Sequence, residues 1–452
     1  MIRGLYSCLM WLVQPLLRRK LMRRSAMEPG YGQFIDERFG RYAEPVAAHM
    51  GPTVWLHAVS LGETRAVAVL VTALRERLPG MRLLLTHGTA TGRAEGVKLL
   101  QAGDLQAWQP WDTPGAVQRF LNHFKPDLGV LMETEVWPNL VHGCQRQRVP
   151  LVLVNARLSD KSLRQAQRLA WLARPAFAAL TAVLAQTPQD AQRLQSLGAK
   201  VQGVTGNLKF DAAPNAGQLA QGQQWRAQLA RPVVMFASSR EGEELALLEI
   251  LNQARYLRPE GGPPTGNGTP VGAAPSPRWP AVQWLIVPRH PQRFDAVATL
   301  IESHGFAVQR RSSWGPGGPG AAAAEKSTLW LGDSLGEMAL YYGMADVALL
   351  GGSFEPLGGQ NLIEAAACGC PVVMGPHTFN FAEAAEQALA AGAALRVVDL
   401  GQAVNCLGVL LGADTLATAR QAAQRFAQSH QGAAQRLADA VVREIFHETL
   451  RK

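Results

Sequence analysis

Several short polar segments in this chain carry residue types suited to bond-making at a sugar or a phosphate. Ser60-Leu61-Gly62-Glu63 and Glu133-Thr134-Glu135 present carboxylates of the kind that act as general bases, and Gly206-Asn207-Leu208-Lys209 adds a cation. Asn155-Ala156-Arg157, Pro288-Arg289-His290-Pro291 and Gly332-Asp333-Ser334-Leu335-Gly336-Glu337 are similar polar punctuations. The longest segment, residues 351–364, places Gly358-Gly359 ahead of Asn361-Leu362-Ile363-Glu364. Amides at a helix start can hold a phosphate, and a carboxylate one turn in can accept ribose hydroxyls, with Arg289 as a cation nearby. Plainer explanations stand beside these. Ser60-x-x-Glu63 and Asn361-x-x-Glu364 both fit a helix capping box, and Glu133 with Lys209 fits an ordinary ion pair. His57, His87, His290 and His377 show no His-x-x-x-His spacing and read as core or loop histidines.

All these segments but Gly206-Asn207-Leu208-Lys209, which opens a linker, follow apolar runs, and those runs must position them. Strands are expected at 53–59, 81–86, 128–132, 151–154 and 183–185, alternating with helical patterns such as 64–78 and 162–180. That alternation implies a parallel sheet covered on both faces. Residues 207–221 turn to Gly, Ala, Pro and Gln and read as a linker. A second series then runs through 233–237, 282–287, 328–331, 347–350 and 371–374. The expected architecture is α/β, with two doubly wound, Rossmann-like domains facing across a cleft, at 31–215 and 230–452. Ligands of such sheets sit beyond the strands' carboxyl ends, where the polar segments fall. Residues 259–280 and 313–324 are low-complexity, unable to bury a core, and read as surface insertions.

Composition narrows the function. Lys and Arg number 44 against 35 Asp and Glu, giving +9. Six of the cations (Arg3, Arg18, Arg19, Lys20, Arg23, Arg24) precede the first acid, Glu28, which leaves 38 against 35, or +3, for the body. No basic stripe remains there for nucleic acid. The five scattered cysteines make no disulfide framework, and Cys368-Gly-Cys370 is too little for zinc. Residues 5–17 are a mostly apolar run broken by Gln14 and Pro15 and followed at once by arginines. This is short of the about 20 residues that span a bilayer, and the charge order is wrong for a cleaved signal. Residues 1–30 therefore read as a helix lying on the cytoplasmic, anionic membrane face. There is no P-loop, no His-Glu-x-x-His and no Asp-x-Asp metal clip. The expectation is a nucleotide-using transferase with neither metal nor cofactor.

In combination the motifs are familiar. Residues 55–63 (WLHAVSLGE), 132–140 (METEVWPNL), 155–159 (NARLS), 287–294 (VPRHPQRF) and 351–381 (GGSFEPLGGQN…MGPHTFNF) resemble, in order, the signatures of the 3-deoxy-D-manno-octulosonic acid (Kdo) transferases. The resemblance implies a GT-B glycosyltransferase moving Kdo from CMP-Kdo to a lipid A precursor (lipid IVA) in lipopolysaccharide synthesis, at the cytoplasmic side of the inner membrane. It implies Glu63 as catalytic base, with Glu133 and Lys209 assisting the transition state. It also implies donor binding by Pro288 and Arg289, by Leu335, Gly336 and Glu337, and by Asn361, Leu362, Ile363 and Glu364. The first domain would then bind the acceptor and the second CMP-Kdo. The sequence departs from the pattern at Ser238-Ser239-Arg240, where a Thr-His pair is commoner, and at Gln360, where His is common. Competing readings are a UDP-sugar transferase or epimerase of the same architecture, and a non-catalytic membrane-surface binding protein.

Overall fold

The structure, a computed structural model, describes residues 2–256, 282–320 and 328–449. The chain divides into two compact units, Met1–Ala212 with His430–Lys452, and Ala213–Ser429.

The first unit is built on seven parallel strands: β1 (Thr53–His57), β2 (Arg82–His87), β3 (Leu105–Trp108), β4 (Leu128–Met132), β5 (Leu151–Ala156), β6 (Ala182–Ala185) and β7 (Val201–Val204). Their spatial order is β3-β2-β1-β4-β5-β6-β7. The two-residue side-chain period sorts the central strands between two cores. Val54, Leu56, Leu83, Leu85, Val130 and Met132 enter one cluster, while Trp55, Leu84 and Leu131 enter the other. Val54 pairs in register with both Leu83 and Leu128, which aligns the apolar rows. One helix over the first face, Leu61–Arg77, contributes Val67, Leu70, Val71 and Leu74, spaced at 3.6-residue periodicity. Each such burial contributes about 1.5–3 kcal/mol.

The second unit repeats the plan with β8 (Val233–Ser239), β9 (Gln283–Pro288), β10 (Ala307–Arg310), β11 (Thr328–Leu331), β12 (Val347–Leu350), β13 (Val372–Met374) and β14 (Ala394–Arg396). The order is β10-β11-β9-β8-β12-β13-β14, again parallel throughout. All ten strands expected from the sequence are present. The four additional ones, β3, β7, β10 and β14, are the edges of the two sheets.

Three expectations need correction. The last helix, Ala433–Thr449, belongs to the first unit and not to a domain running through 452. Ala434, Leu437, Ala438 and Val441 complete the core that Leu61–Arg77 faces. The segment 207–221 is no loose linker. Leu208 and Phe210 are buried, Asn215 caps the helix Ala216–Ala227, and only the unit boundary falls inside the segment. The segment beginning at Ser313 is not mere surface insertion either. Trp314 is only 8% exposed and meets Trp225 and Trp330 edge-on, with ring centroids 5.9 and 5.3 Å away. Residues 321–324 and the whole of 259–280 lie outside the described residues.

The N-terminal apolar run forms one helix, Ile2–Met27, which continues through Pro15. It docks on the first unit through Tyr6 Oη to Asp112 Oδ2 (2.8 Å), Ser7 Oγ to Asn139 Oδ1 (2.9 Å) and buried Leu21. Arg24 stacks on Tyr31, 4.5 Å from its centroid. Leu5, Leu9, Leu12 and Leu16 remain exposed, and their spacing puts them on one face. Among the described residues, no single helix is long and apolar enough to cross a membrane.

Candidate functional site

The carboxyl end of β1 runs directly into the helix Leu61–Arg77, and Ser60 caps it. Ser60 Oγ accepts from the Glu63 N–H (3.3 Å) and donates to Glu63 Oε1 (3.0 Å), while the Val59 N–H donates to Glu63 Oε2 (2.9 Å). The helix cap is therefore real, although Glu63 reaches back to the Val59 N–H rather than to the Ser60 N–H of a full capping box. It does not compete with a chemical role, because it aims and fixes the carboxyl. Burial raises the Glu63 pKa above the ordinary carboxylate value, and the nearby charges of Glu133 and Glu135 raise it further, against the pull of the Val59 and Ser60 hydrogen bonds. A half-buried carboxyl with a raised pKa at the mouth of a parallel sheet is suited to taking a proton near neutral pH.

Glu133 follows β4 and sits in the left-handed region at φ 54°, as do Asn155 at φ 50° in β5 and Ser238 at φ 57° in β8. Such backbone costs about 1–3 kcal/mol per residue and collects at functional sites. Glu133 is 7% exposed. Its tight partner is Arg157, whose Nε donates to Oε2 at 2.7 Å, while Lys209 Nζ stands 3.8 Å from Oε1. Asn155 holds the Lys209 segment in place, because its Oδ1 accepts the Leu208 N–H at 3.0 Å. Asn207 Oδ1 in turn accepts the Lys209 N–H at 3.0 Å. Glu133 and Lys209, 76 residues apart in sequence, thus meet as expected, and Arg157 joins them. Arg157 stood in a flagged segment without a role of its own; its place just past a buried strand was the available signal.

Glu135 faces His57, whose Nε2 is 3.8 Å from Oε2, and accepts from Trp137 Nε1 at 2.9 Å. Burial pushes the Glu135 pKa up, but the His57 and Trp137 contacts bring it below the ordinary value on balance. Glu63 and Glu135 are thus shifted in opposite directions, which suits one to accept a proton and the other to stay charged.

In the second unit, Pro288 ends β9 and Arg289 emerges exposed, with its Nε donating to Gln360 Oε1 at 3.1 Å. That contact brings the 288–291 turn onto the glycine loop. Glu243 anchors this loop, as its buried carboxylate accepts the Gly352 N–H with both oxygens at 2.8 Å and the Arg240 N–H at 2.8 Å. Gly358, at φ 92°, must lack a side chain, since a Cβ there would stand 2.4 Å from Asn380 Nδ2. The Gly359 N–H bonds the Gly352 carbonyl at 2.7 Å, so it is committed inside the loop and withdrawn from phosphate binding. Asn361 caps the helix Leu362–Ala367 through the Ile363 N–H (3.2 Å). Leu362 and Ile363 bury their side chains, so only their backbone can serve a ligand. Leu335 is 72% exposed, Gly336 takes φ 78°, and Glu337 is held by Ser334 and by Arg311 at 2.9 Å. No group of three or more His, Cys, Asp or Glu among the described residues could hold a metal ion.

Two α/β units, each on a seven-stranded parallel sheet with polar turns at its strand ends, give a GT-B-like fold. A glycosyltransferase from Rickettsia africae shares it at 14% identity and TM-score 0.55, over 88% of this chain and 99% of that one. The sequence profile described as 3-deoxy-D-manno-octulosonic-acid transferase (kdotransferase) matches residues 33–212. The 3-deoxy-D-manno-octulosonic acid transferase of Bordetella pertussis is 46% identical over 97% of this chain and 98% of its own length. The Haemophilus influenzae enzyme of the same name is 32% identical over 85% and 84%. The chain belongs to the Kdo transferase family and is a glycosyltransferase.

Proposed function

We propose that the enzyme moves Kdo from CMP-Kdo to a lipid A precursor such as lipid IVA, with inversion and without a metal, at the cytoplasmic side of the inner membrane. The observation that carries the reading is Glu63, a half-buried carboxyl of raised pKa locked in one orientation beside Glu133. Glu63 takes the proton of an acceptor hydroxyl as that oxygen bonds the anomeric carbon of Kdo. The anomeric C–O bond to phosphate breaks on the opposite face, and CMP leaves with the electron pair. Such general-base help is worth roughly 10²–10⁴ in rate, or about 3–5 kcal/mol. Lys209, neutralised in part by Glu133, assists the charge that develops. Pro288, Arg289, Leu335, Gly336, Glu337, Asn361, Leu362, Ile363 and Glu364 take the donor, with Arg289 meeting its charge. The exposed leucine face of Ile2–Met27 and its arginines supply contact with an anionic membrane.

The test is turnover of CMP-Kdo with a short soluble acceptor analogue, with and without excess EDTA, beside a binding titration of CMP against UDP. Transfer that persists in EDTA and preference for CMP are expected. A UDP preference would overturn the donor, and loss of transfer restored by magnesium would overturn the metal-free step.

A further inference from the structure

Behind Glu63 lies a buried group that the mechanism above does not use. The Ala58–Val59 peptide, whose N–H holds Glu63 Oε2 at 2.9 Å, has its carbonyl turned to His87. His87 Nδ1 is 3.1 Å from Ala58 O. His87 ends β2 and is fully buried. On its far side Gln106 Nε2 lies 3.1 Å from His87 Nε2 and 2.8 Å from Arg93 O.

Thr64 Oγ1 also lies 3.4 Å from Nδ1, but its hydroxyl donates to Ser60 O at 2.9 Å, and the rest of the network places the ring proton. Arg93 O only accepts, so the Gln106 amide nitrogen must be the atom beside it, and its second hydrogen points at His87 Nε2. That nitrogen therefore accepts, and the proton of the neutral ring sits on Nδ1. Ala58 O also only accepts, so the same tautomer is required from the other end. Burial and the neighbouring His57 and Arg93 charges push the His87 pKa down to about 3, which keeps the ring neutral. The fit is close: a Cβ on Gly96 would stand 2.4 Å from His87 Nε2 and 2.8 Å from Gln106 Nε2.

We propose that His87 is a positioning residue for Glu63: its Nδ1–H polarises the Ala58–Val59 peptide, and the Val59 N–H so strengthened holds the Glu63 carboxylate. Hydrogen bonds in series through one peptide reinforce each other, and a donor to the charged carboxylate favours that form. The proposal rests on reading Glu63 as the base. Glu133 and Glu135 act on Glu63 in the opposite sense, so the His87 chain offsets part of their repulsion.

The readout is the pH profile of kcat/KM for the full chain with CMP-Kdo and a soluble acceptor. His87→Phe keeps a ring but loses the donor, and is expected to lose about two- to tenfold on the acid limb while regaining the wild-type rate at the high-pH plateau. His87→Asn places an amide N–H where Nδ1 stood, and is expected to restore the limb. A His87→Phe profile that matches wild type, or that falls by one factor at every pH, overturns the proposal, as does His87→Asn behaving like His87→Phe. If His87→Phe fails to fold, His87→Leu, which also lacks the donor, is expected to move the limb in the same direction, and an unmoved limb overturns the proposal. Wild-type turnover in Glu63→Gln would show that the base reading itself fails, separately from these outcomes.

Discussion

Replacing Glu63 by Gln separates its two duties. Glutamine is accepted in a capping box and can still receive the Val59 N–H, so the start of Leu61–Arg77 should survive. What it cannot do is take a proton. The expected loss is 10²–10⁴ in turnover, about 3–5 kcal/mol of barrier. Stability should move the other way. Burial raises the Glu63 pKa in the folded state, so the folded protein holds that proton more tightly than the unfolded chain. Its stabilising contribution is complete below the unfolded value and is lost as pH rises through the raised folded one. A side chain that never ionises escapes that loss, so Glu63→Gln should melt at or above wild type at neutral pH. Glu63→Ala, which loses the hydrogen bonds from the Val59 N–H and Ser60 Oγ, should fall by about 0.5–2 kcal/mol. The assay pairs single-turnover transfer to a soluble acceptor with thermal melting at several pH values. Retention of more than about a tenth of wild-type turnover would refute the base role. A Glu63→Gln melting point as low as that of Glu63→Ala would refute the separation of the duties.

Other perturbations follow from the same structure. Glu364→Ala should weaken CMP binding measured by calorimetry; a lower melting temperature with unchanged affinity would leave it only a helix-start carboxylate. Trp314→Ala should destabilise the second unit by about 3–5 kcal/mol in denaturant titration, because two other tryptophans pack on that ring. A loss below about 1 kcal/mol would return its segment to the surface. Deleting residues 1–24 should abolish co-sedimentation with anionic vesicles while soluble transfer persists; unchanged sedimentation would place membrane contact elsewhere.

What the sequence disclosed follows from burial. The ten strands read correctly are the inner ones, whose two covered faces demand unbroken apolar runs. The edges β3, β7, β10 and β14 face solvent on one side, and stretches such as Val201–Val204 and Ala307–Arg310 carry the mixed sequence of that position. Missing β3 hid more than a strand, since Gln106 lies on it. His87 could not be distinguished from a core histidine without that partner 19 residues away. Glu63 and Glu133 stood out because each follows a readable strand, and Lys209, just beyond the missed β7, only because it lies in the polar stretch after Gly206. The Gly359 amide was misjudged because only tertiary geometry shows that Gly352 claims it. The final helix was placed in the wrong unit for a similar reason: its apolar face states that it packs, not against what.

That final helix also constrains how the protein can be made. Residues 433–449 emerge from the ribosome more than 200 residues after Ala212, at about 5–20 residues per second a delay of roughly ten seconds or more. Throughout that interval the nascent first unit has Val67, Leu70 and Leu74 on a helix whose neighbours Leu437 and Val441 do not yet exist. The second unit, continuous in sequence from Ala213 to Ser429, can close before the first does. The earlier-made half of the polypeptide is thus the later one to mature, and premature termination near residue 430 would leave it with an open apolar seam for chaperones and proteases to recognise.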